Sequence, residues 1–390
     1  PDELSLRLLP FLAALASLVC FRKLSRTVME EFVSRDALLG LLPLGIFAAS
    51  YYLIRYGGEL KPYSLDVLLA CVFLWLGAEG IRRGPENLAR TLLAPALLIA
   101  PATWLSYPVV FVGAGMSLSL LPSVVRSGAA RAWLVFIGFN AALLAGFASH
   151  YLLFGIDQSA GGGAAVQSFW ADSFPPSAPS SLAAWLASRH TGLMFAHPNG
   201  GPNGGSTATL FFFLLGAWSL GAGGKAGRHR ARFEILALLL APFVLNLAAA
   251  SLHLYPYGGH PRVALFHAPS ICLLGGIGLV SAIERIRHAR WRPRITTALL
   301  GACVLMGVLC IGRDLAKPYR SERNLANRHL VQEAFEAAPG AAPILVLNDF
   351  DAFRGRKRSY NLAWYVRRFG GQRIVTAKNL AAAGLTPGSD

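Results

Sequence analysis

Long apolar runs alternate with short polar segments along the first four fifths of the chain. Each run has roughly 17 to 25 residues, the length that an α-helix needs to cross about 30 Å of hydrocarbon. A lone segment in lipid must satisfy its own backbone hydrogen bonds, so each run is predicted to be helical. The pattern predicts ten membrane-spanning helices, at residues 5–20, 37–54, 64–81, 88–104, 106–122, 132–154, 207–222, 233–252, 263–283 and 295–312.

The pattern changes after residue 312, where the remaining residues are more polar. Helices are predicted for SERNLANRHLVQEAFEAA and SYNLAWYVRRFG, and strands for PILVLND and RIVTA. We therefore expect a transmembrane domain at 1–312 and a small α/β segment at 313–390. The predicted fold class is an all-α polytopic membrane bundle with an α/β appendage.

One connection, residues 155–206, is long and rich in Gly, Ser and Pro. Within it, apolar residues recur at helical spacing, namely Leu182, Trp185, Leu186, Leu193 and Met194. Two interpretations fit this pattern equally well. The first is a helix that lies in the membrane interface with Trp185 at headgroup level, and the second is a loop helix packed on its own protein.

Composition agrees with a membrane protein, because hydrophobic residues make up 54% of the chain and charged residues only 14%. The mean hydropathy of +0.47 exceeds what a soluble core of this size requires. All five cysteines lie within or at the ends of apolar runs, which indicates buried thiols and no disulfide or metal pattern. The chain opens with PDEL, without a charged leader or cleavage site, and we expect a fragment that lacks its native N-terminus.

The net charge of +16 could suggest a nucleic-acid partner, but the positions of the charges exclude one. One set of alternate connections carries most of the basic residues: Arg22, Lys23, Arg26, Arg35, Arg82, Arg83, Arg90, Arg126, Arg131, Lys225, Arg228, Arg230, Arg232, Arg285, Arg287, Arg290, Arg292 and Arg294. With the C-terminal tail left aside, the opposite set has Arg55, Lys61, Arg189 and Arg262. By the positive-inside rule the first set faces the cytoplasm, and both chain ends lie outside. The predicted location is the plasma (inner) membrane.

The stretch RYGGELKPYSLD, residues 55–66, gathers ionisable groups between two predicted spans. On the same predicted outer side lie Asp2 and Glu3, Tyr107 in LSYP, and SLHLYPYGGHPR at 251–262. Polar groups at membrane depth are costly and usually have a function. We therefore predict Glu59 and Asp66 as catalytic residues, and Lys61, Tyr63, Tyr107, Tyr257, His260 and Arg262 as substrate-binding residues.

Structural roles compete with this prediction. Ser64 and Asp66 could cap a helix start, which stabilises by roughly 0.3 to 1 kcal/mol. The tyrosines could form an interfacial aromatic belt, and the basic residues could reach lipid headgroups. No nucleotide, metalloprotease or nucleophile-elbow motif is present. His150, His197 and His253 are too widely spaced to predict a metal site.

The order of four segments resembles the membrane-embedded GT-C glycosyltransferases, in particular bacterial members related to the dolichyl-phosphate-mannose and aminoarabinose transferases. These segments are DELSLRLLPFLAALASL, ELKPYSLDVLLACVFLWL, LSYPVVFVGAGMSLSLL and LHLYPYGGHPRVALFHAPSICLLGGIGL. The resemblance covers most of the chain. It implies transfer of a sugar from a polyprenyl-phosphate carrier to a glycan, lipid or protein acceptor at the outer membrane face.

The resemblance also implies roles for particular residues. Glu59, Lys61 and Tyr63 match the family's acidic-basic-Pro-Tyr motif, and Arg262 matches a basic residue that opens a late helix. The family's catalytic aspartate usually lies in a first outer loop, and the resemblance implies that this loop precedes Pro1. Several members use a divalent metal, but no residue here is assigned to a metal site. Two other functions stay open: a transporter or flippase for a lipid-linked or anionic solute, and a non-catalytic assembly protein that uses the NDFDAFRGRKR loop of its tail.

Overall fold

The computed structural model describes residues 3–156, 168–200, 204–222, 229–317, 329–330, 332–333, 336, 344–346 and 374–376. The chain divides into two units, Pro1–Ile311 and Gly312–Asp390, and each is described by itself.

Helices make up almost all of the described part of the first unit. The α-helices are α1 Glu3–Val28, α2 Leu42–Ala48, α3 Tyr51–Gly57, α4 Tyr63–Arg83, α5 Leu88–Leu105, α6 Val109–Ser127, α7 Ala130–His150, α8 Pro179–His190, α9 Gly205–Ala222, α10 His229–Ser251, α11 Pro261–Ala264, α12 Ala268–Glu284 and α13 Trp291–Ala316. Two π-helical turns, Met29–Val33 and Tyr151–Gly155, extend α1 and α7. Short 3₁₀ turns lie at Leu39–Leu41, Pro85–Asn87, Ala171–Ser173, Leu193–Phe195 and Leu265–His267.

The helices confirm a multi-pass membrane bundle. Among the described residues, nine helices are long and apolar enough to span a bilayer, and the bent α2–α3 pair makes up to ten. They follow the order of the ten apolar runs. The first is longer than the run at 5–20, because its helical conformation continues to Val33. Arg22, Lys23 and Arg26 therefore lie on a helix and not in a loop, as suits long basic side chains with high helix propensity.

The second predicted span, 37–54, is broken. Helices α2 and α3 meet at 52°, with Ser50 in an extended conformation between them. The break removes helical hydrogen bonds, and other groups replace them, as a non-aqueous environment requires. The Tyr51 N–H donates to the Pro198 carbonyl at 2.9 Å, and Ser50 Oγ donates to the Ile46 carbonyl at 2.7 Å.

The partner of this break is a part of the long connection, residues 193–198, which we call the insert segment. Met194, Phe195 and His197 of this segment are buried in the bundle. Helix α8 ends at His190, so Leu193 and Met194 do not continue it. Trp185 Nε1 donates to the Asp172 carbonyl at 3.1 Å. These contacts favour the interpretation of α8 as a loop helix packed on its own protein.

Helix α12 lies at the centre of the bundle. In the span Pro261–Glu284, which includes α12, 89% of the most apolar 18-residue stretch is buried, whereas in α13 only 6% of the corresponding stretch is buried. Close packing of α12 on α9 depends on Gly216 and Gly278. A Cβ atom at Gly216 would meet the carbonyl oxygen of Leu274, and one at Gly278 would meet that of Phe212. Small residues that let helix backbones approach are typical of membrane interfaces.

Successive spans place the connections alternately at two ends of the bundle. The tyrosine end contains residues 57–63, 105–109 and 251–261, and the arginine end contains residues 28–39, 83–88, 127–130 and 284–291. Contacts across each end confirm the grouping. Tyr107 stacks on Tyr255 with centroids 5.7 Å apart at the tyrosine end. At the other end, Arg126 Nη2 lies 2.6 Å from Glu234 Oε1.

In the second unit the structure describes two strands, β1 Ile344–Val346 and β2 Ile374–Thr376. They pair in parallel, with Ile344 opposite Ile374. Both lie within the sequences predicted as strands. Most of the predicted helix SERNLANRHLVQEAFEAA, all of SYNLAWYVRRFG, and Asp349 and Asp351 of the tail loop lie outside the described residues. The α/β appendage therefore stays a prediction.

Candidate functional site

Two side chains from distant parts of the sequence are neighbours at the tyrosine end. The Tyr63 hydroxyl, on the first turn of α4, lies close to the guanidinium of Arg262, on the first turn of α11. Tyr56 packs edge-on against the Tyr63 ring with centroids 5.2 Å apart. His260 caps α11, because its Nδ1 accepts from Arg262 N and from Arg262 Nε, both at 3.2 Å. His260 therefore holds the guanidinium on the side of α11 that faces Tyr63's neighbourhood.

Asp66 lies one turn further along α4 and is only 6% exposed. The side chain of Ser106 is its polar neighbour. However, neither Asp66 Oδ1 nor Ser106 Oγ has a partner in hydrogen-bonding geometry among the described residues. A buried carboxylate oxygen without a donor is costly, so this position is a candidate for function.

The predicted capping role of Ser64 is wrong. Helix α4 begins at Tyr63, and its N-cap is Pro62, which has no side-chain donor or acceptor. Ser64 Oγ instead donates to the Tyr56 carbonyl at 3.0 Å. The proline makes the first turn begin one residue earlier than the Ser-x-Asp pattern indicates, since its fixed φ suits a helix start.

Tyr107 and Tyr255 form the wall beside Asp66. Their rings stack on each other, and the Tyr255 ring also contacts Phe111. The Tyr255 hydroxyl donates to the Val263 carbonyl at 3.4 Å. Burial raises the pKa of Tyr255 well above its usual value, and negative charge on Asp66 adds to this effect. Burial also raises the pKa of Tyr107. Both phenols are therefore neutral at physiological pH. We call Tyr63, Asp66, Tyr107, Tyr255 and Arg262 the Tyr–Arg cluster.

Glu59 and Lys61 lie in the turn just before α4. The Lys61 N–H donates to the Glu59 carbonyl at 2.8 Å, and the Lys61 side chain is exposed. Glu59 is half-buried, and its carboxylate lies near enough to the Tyr63 phenol to interact with it electrostatically. The two residues thus lie next to the Tyr–Arg cluster in sequence, and among the described residues neither forms an ion pair with another side chain.

Tyr257 is not part of the cluster, although it is close in sequence. It is 2% exposed, and its hydroxyl donates to His190 Nε2 at 3.1 Å. The His190 Nδ1–H in turn donates to the Leu186 carbonyl at 2.7 Å. Burial raises the pKa of Tyr257 and lowers that of His190, so both groups are neutral. This pair attaches α8 to the bundle.

An apolar groove of about 450 Å³ has Tyr63 in its lining. Its volume lies within the range of roughly 300 to 1,000 Å³ that small-molecule sites have. Helices α1, α3, α4 and α13 form its walls with Phe11, Leu15, Leu53, Ile54, Val67 and Ile311. Phe11 and Leu15 are also among the exposed large hydrophobic residues, so the groove opens on the lipid-facing side of α1.

Sequence reasoning missed three parts of this site, the groove, Ser106 and Tyr255. The LSYP segment drew attention to Tyr107, and the preceding serine carried no signal of its own. The groove arises from packing between helices that are distant in sequence, which periodicity does not reveal. Among the described residues no three His, Cys, Asp or Glu side chains are grouped closely enough to hold a metal ion. These residues do not fit a metal centre, and we derive no catalytic step through one.

No protein-family model matches the chain, and no curated protein matches it significantly. The likeness to GT-C glycosyltransferases consequently stays a prediction.

Proposed function

We propose that this chain transfers a sugar from a polyprenyl-phosphate carrier to an acceptor, as the GT-C glycosyltransferases do. One observation carries the proposal: Tyr63 lines the apolar groove, and its hydroxyl lies close to the Arg262 guanidinium. A lipid-linked phosphate needs this combination, because its tail requires an apolar wall and its headgroup requires charged donors. Arg presents paired donors that match phosphate oxygens.

The groove also suits a substrate that enters from the membrane. It opens between α1 and α13, and α13 is the least buried of the spans described. An isoprenoid tail could then remain in apolar surroundings while its phosphate reaches Tyr63 and Arg262. A soluble nucleotide-sugar would gain nothing from such a route.

In the proposed reaction the acceptor oxygen bonds to C1 of the sugar, and the bond from C1 to the phosphate oxygen breaks. The electron pair leaves with the polyprenyl phosphate, so negative charge increases where Arg262 and Tyr63 lie. Fixed donors in a poorly hydrated site stabilise such charge most strongly. Glu59, half-buried in the preceding turn, takes the acceptor proton.

The other predicted residues have supporting roles in this proposal. Asp66 and Tyr107 lie behind Tyr63 and Tyr255, and their burial favours positioning of the cluster over contact with the sugar. Lys61 is exposed, so water and salt weaken its attraction for the phosphate. His260 holds Arg262 in place.

We also propose where the chain lies, how it is oriented in the membrane, and which substrates it uses. The tyrosine end faces away from the cytoplasm across the inner membrane, because most basic residues of the connections between spans belong to the opposite end. The α/β segment predicted for residues 313–390 would then be extracytoplasmic, as the positive-inside rule predicts for the C-terminus. The donor is a polyprenyl-phosphate sugar, and the acceptor is a glycan, lipid or protein.

Transfer by purified protein in proteoliposomes tests this proposal. The donors are a panel of synthetic polyprenyl-phosphate hexoses, pentoses and aminopentoses, and a membrane extract supplies acceptors. Release of polyprenyl phosphate is followed by mass spectrometry. We expect Arg262→Gln to lower turnover by about 10² to 10³, as loss of one oxyanion donor does. Lys61→Gln should lower it by less than about tenfold, since this charge is exposed.

Arg285→Gln provides a matched control, because it makes the same change at the arginine end of the same helical run. It should transfer sugar at the wild-type rate. Equal turnover by Arg262→Gln and Arg285→Gln would contradict the proposal.

The broken second span favours one other candidate, a transporter or flippase. Transporters commonly place substrate at discontinuous helices. Here the break at Ser50 is filled by the buried His197, and its Nδ1 lies 3.1 Å from Ser50 Oγ. Flux of a lipid-linked or anionic solute into proteoliposomes, without release of polyprenyl phosphate, would favour this candidate. The assembly-protein hypothesis rests on a tail loop outside the described residues.

A further inference from the structure

A second concave site lies at the arginine end, at the opposite end of α1 from the Tyr–Arg cluster. Its volume is about 340 Å³. We call it the basic pocket, and define it by Arg22, Ser25, Arg26, Ser34, Arg35 and Leu41. Arg22, Ser25 and Arg26 are spaced three and four residues apart and thus share one face of α1.

The charges around the basic pocket are unequally satisfied. Arg26 Nε binds Glu30 Oε1 at 2.7 Å, and both side chains are largely exposed. The Asp36 carboxylate accepts from the backbone N–H groups of Leu38 and Leu39, at 2.8 and 3.2 Å. Arg22 and Arg35 have no ion-pair partner among the described residues. Glu30 and Asp36 thus have partners within or beside the pocket, while the guanidinium groups of Arg22 and Arg35 are available to bind an anion.

The neighbouring cleft does not change this balance. It shares Arg26 and Glu30 with the basic pocket, and its other acids include Glu79. Glu79 is held by Arg82 and Arg83 at 2.6 and 2.7 Å. It therefore does not compete for Arg22 or Arg35.

A buried hydroxyl in the same pocket points independently to a ligand. Ser25 is only 2% exposed, and its Oγ has no hydrogen-bond partner among the described residues. An unpartnered buried hydroxyl costs free energy, and a ligand oxygen would remove this cost. Hydroxyl and guanidinium donors together are the groups that recognise phosphate oxygens.

We propose that the basic pocket binds the phosphate headgroup of an anionic glycerophospholipid. Arg22 and Arg35 would hold the phosphate and Ser25 would donate to it. Leu41, which lines the pocket and is 41% exposed, would contact the first carbons of the acyl chains. This apolar edge favours a lipid over free phosphate. Basic pockets between transmembrane helices on the cytoplasmic side bind such headgroups in other proteins.

The test is lipid binding to the full chain in mild detergent, measured by native mass spectrometry. The probes are dioleoyl-phosphatidylglycerol, its zwitterionic phosphatidylcholine analogue, and inorganic phosphate. Wild type should retain phosphatidylglycerol but not phosphatidylcholine. The double variant Arg22→Gln/Arg35→Gln should bind phosphatidylglycerol about 30-fold more weakly, which corresponds to about 1 kcal/mol for each charge.

Arg131→Gln/Arg287→Gln is the matched control, because it removes two exposed arginines from the same end outside the pocket. It should bind phosphatidylglycerol as wild type does. Equal weakening by both double variants would show attraction by general charge and overturn the proposal. A thermal shift with inorganic phosphate but none with phosphatidylglycerol would also overturn it.

Ser25→Ala separates a ligand role from a folding role. Without added lipid it should melt at or above the wild-type temperature, because it removes an unpartnered buried hydroxyl. With phosphatidylglycerol its thermal shift should be smaller than that of wild type. A full-sized shift in Ser25→Ala, together with unchanged binding by Arg22→Gln/Arg35→Gln, would contradict the assignment.

Discussion

His197 links the insert segment to the broken span at a single buried position. The ring is 3% exposed, and its Nδ1 pairs with Ser50 Oγ at 3.1 Å. Because the Ser50 hydroxyl donates to the Ile46 carbonyl, the histidine must donate to Ser50. Thr209 Oγ1 donates to the His197 carbonyl at 2.5 Å. A neutral imidazole therefore fixes the segment in place.

Protonation of His197 should destabilise the bundle. Burial lowers the pKa of His197 to about 4 from its usual 6.5. The unfolded chain therefore takes up a proton at a higher pH than the folded one does. The stabilisation that the neutral, buried His197 contributes is fully present above pH 6.5 and is lost as pH falls toward 4. At pH 5 the loss should be about 2 kcal/mol.

Thermal melts in detergent between pH 7.5 and 4.5 measure this effect. His197→Asn keeps a donor near the Nδ1 position and does not titrate, so its melting temperature should fall less with acid than that of wild type. His288→Asn changes an exposed histidine and serves as the control. Parallel melting curves for wild type and His197→Asn would show that His197 does not titrate in this range.

For individual residues, the sequence predicted which residue types belong to the site but not which residues they contact. Tyr63, Tyr107 and Arg262 were predicted correctly as members of one end of the bundle. Charge and aromatic content mark such positions, since both are rare in apolar runs. His197 carried no signal, because a lone histidine in a Gly-rich connection has no periodic context. Its role depends on Ser50, which lies in another helix.

Helix pairs in this bundle depend on backbone contact at particular glycines. Gly278 of α12 and Gly216 of α9 allow the two backbones to meet. Gly275, on the same helix, has open space around its Cβ position. The two positions of α12 therefore form a matched pair for substitution.

Gly278→Ala should lower the unfolding free energy by about 1 to 3 kcal/mol, because the new methyl group forces α9 and α12 apart. Gly275→Ala should be neutral or slightly stabilising, since alanine favours helix over glycine. Unfolding in mixed detergent micelles, followed by circular dichroism, compares the two. Equal stability of both variants would contradict the close crossing.

The elements themselves were largely predictable, because hydrophobic length reports directly on the cost of placing polar backbone in lipid. The ten apolar runs gave the order of the spans. The break within 37–54 was not predictable, since Ser50 does not interrupt an apolar run. What bends this span is a contact with Pro198, which only the folded chain provides.

The distribution of basic residues among the connections between spans predicts the orientation of the chain in the membrane. Exposed Lys61 belongs to the tyrosine end, and exposed Arg287 belongs to the arginine end. We expect Lys61→Cys to react with a membrane-impermeant maleimide from outside intact cells. Arg287→Cys should react only after the membrane is permeabilised. Both are made in a chain whose five native cysteines are replaced by alanine. Labelling of both from the same side would contradict the two-ended arrangement.

In the proposed function, the apolar groove holds the tail of a polyprenyl phosphate whose phosphate reaches Arg262. Photolabelling tests it most directly, with a polyprenyl phosphate that carries a diazirine on its tail. We expect labelled peptides from the groove walls of α1 and α3, and at least tenfold less label in Arg262→Gln than in Arg285→Gln. Label spread over other lipid-facing helices, with no difference between these two variants, would contradict it.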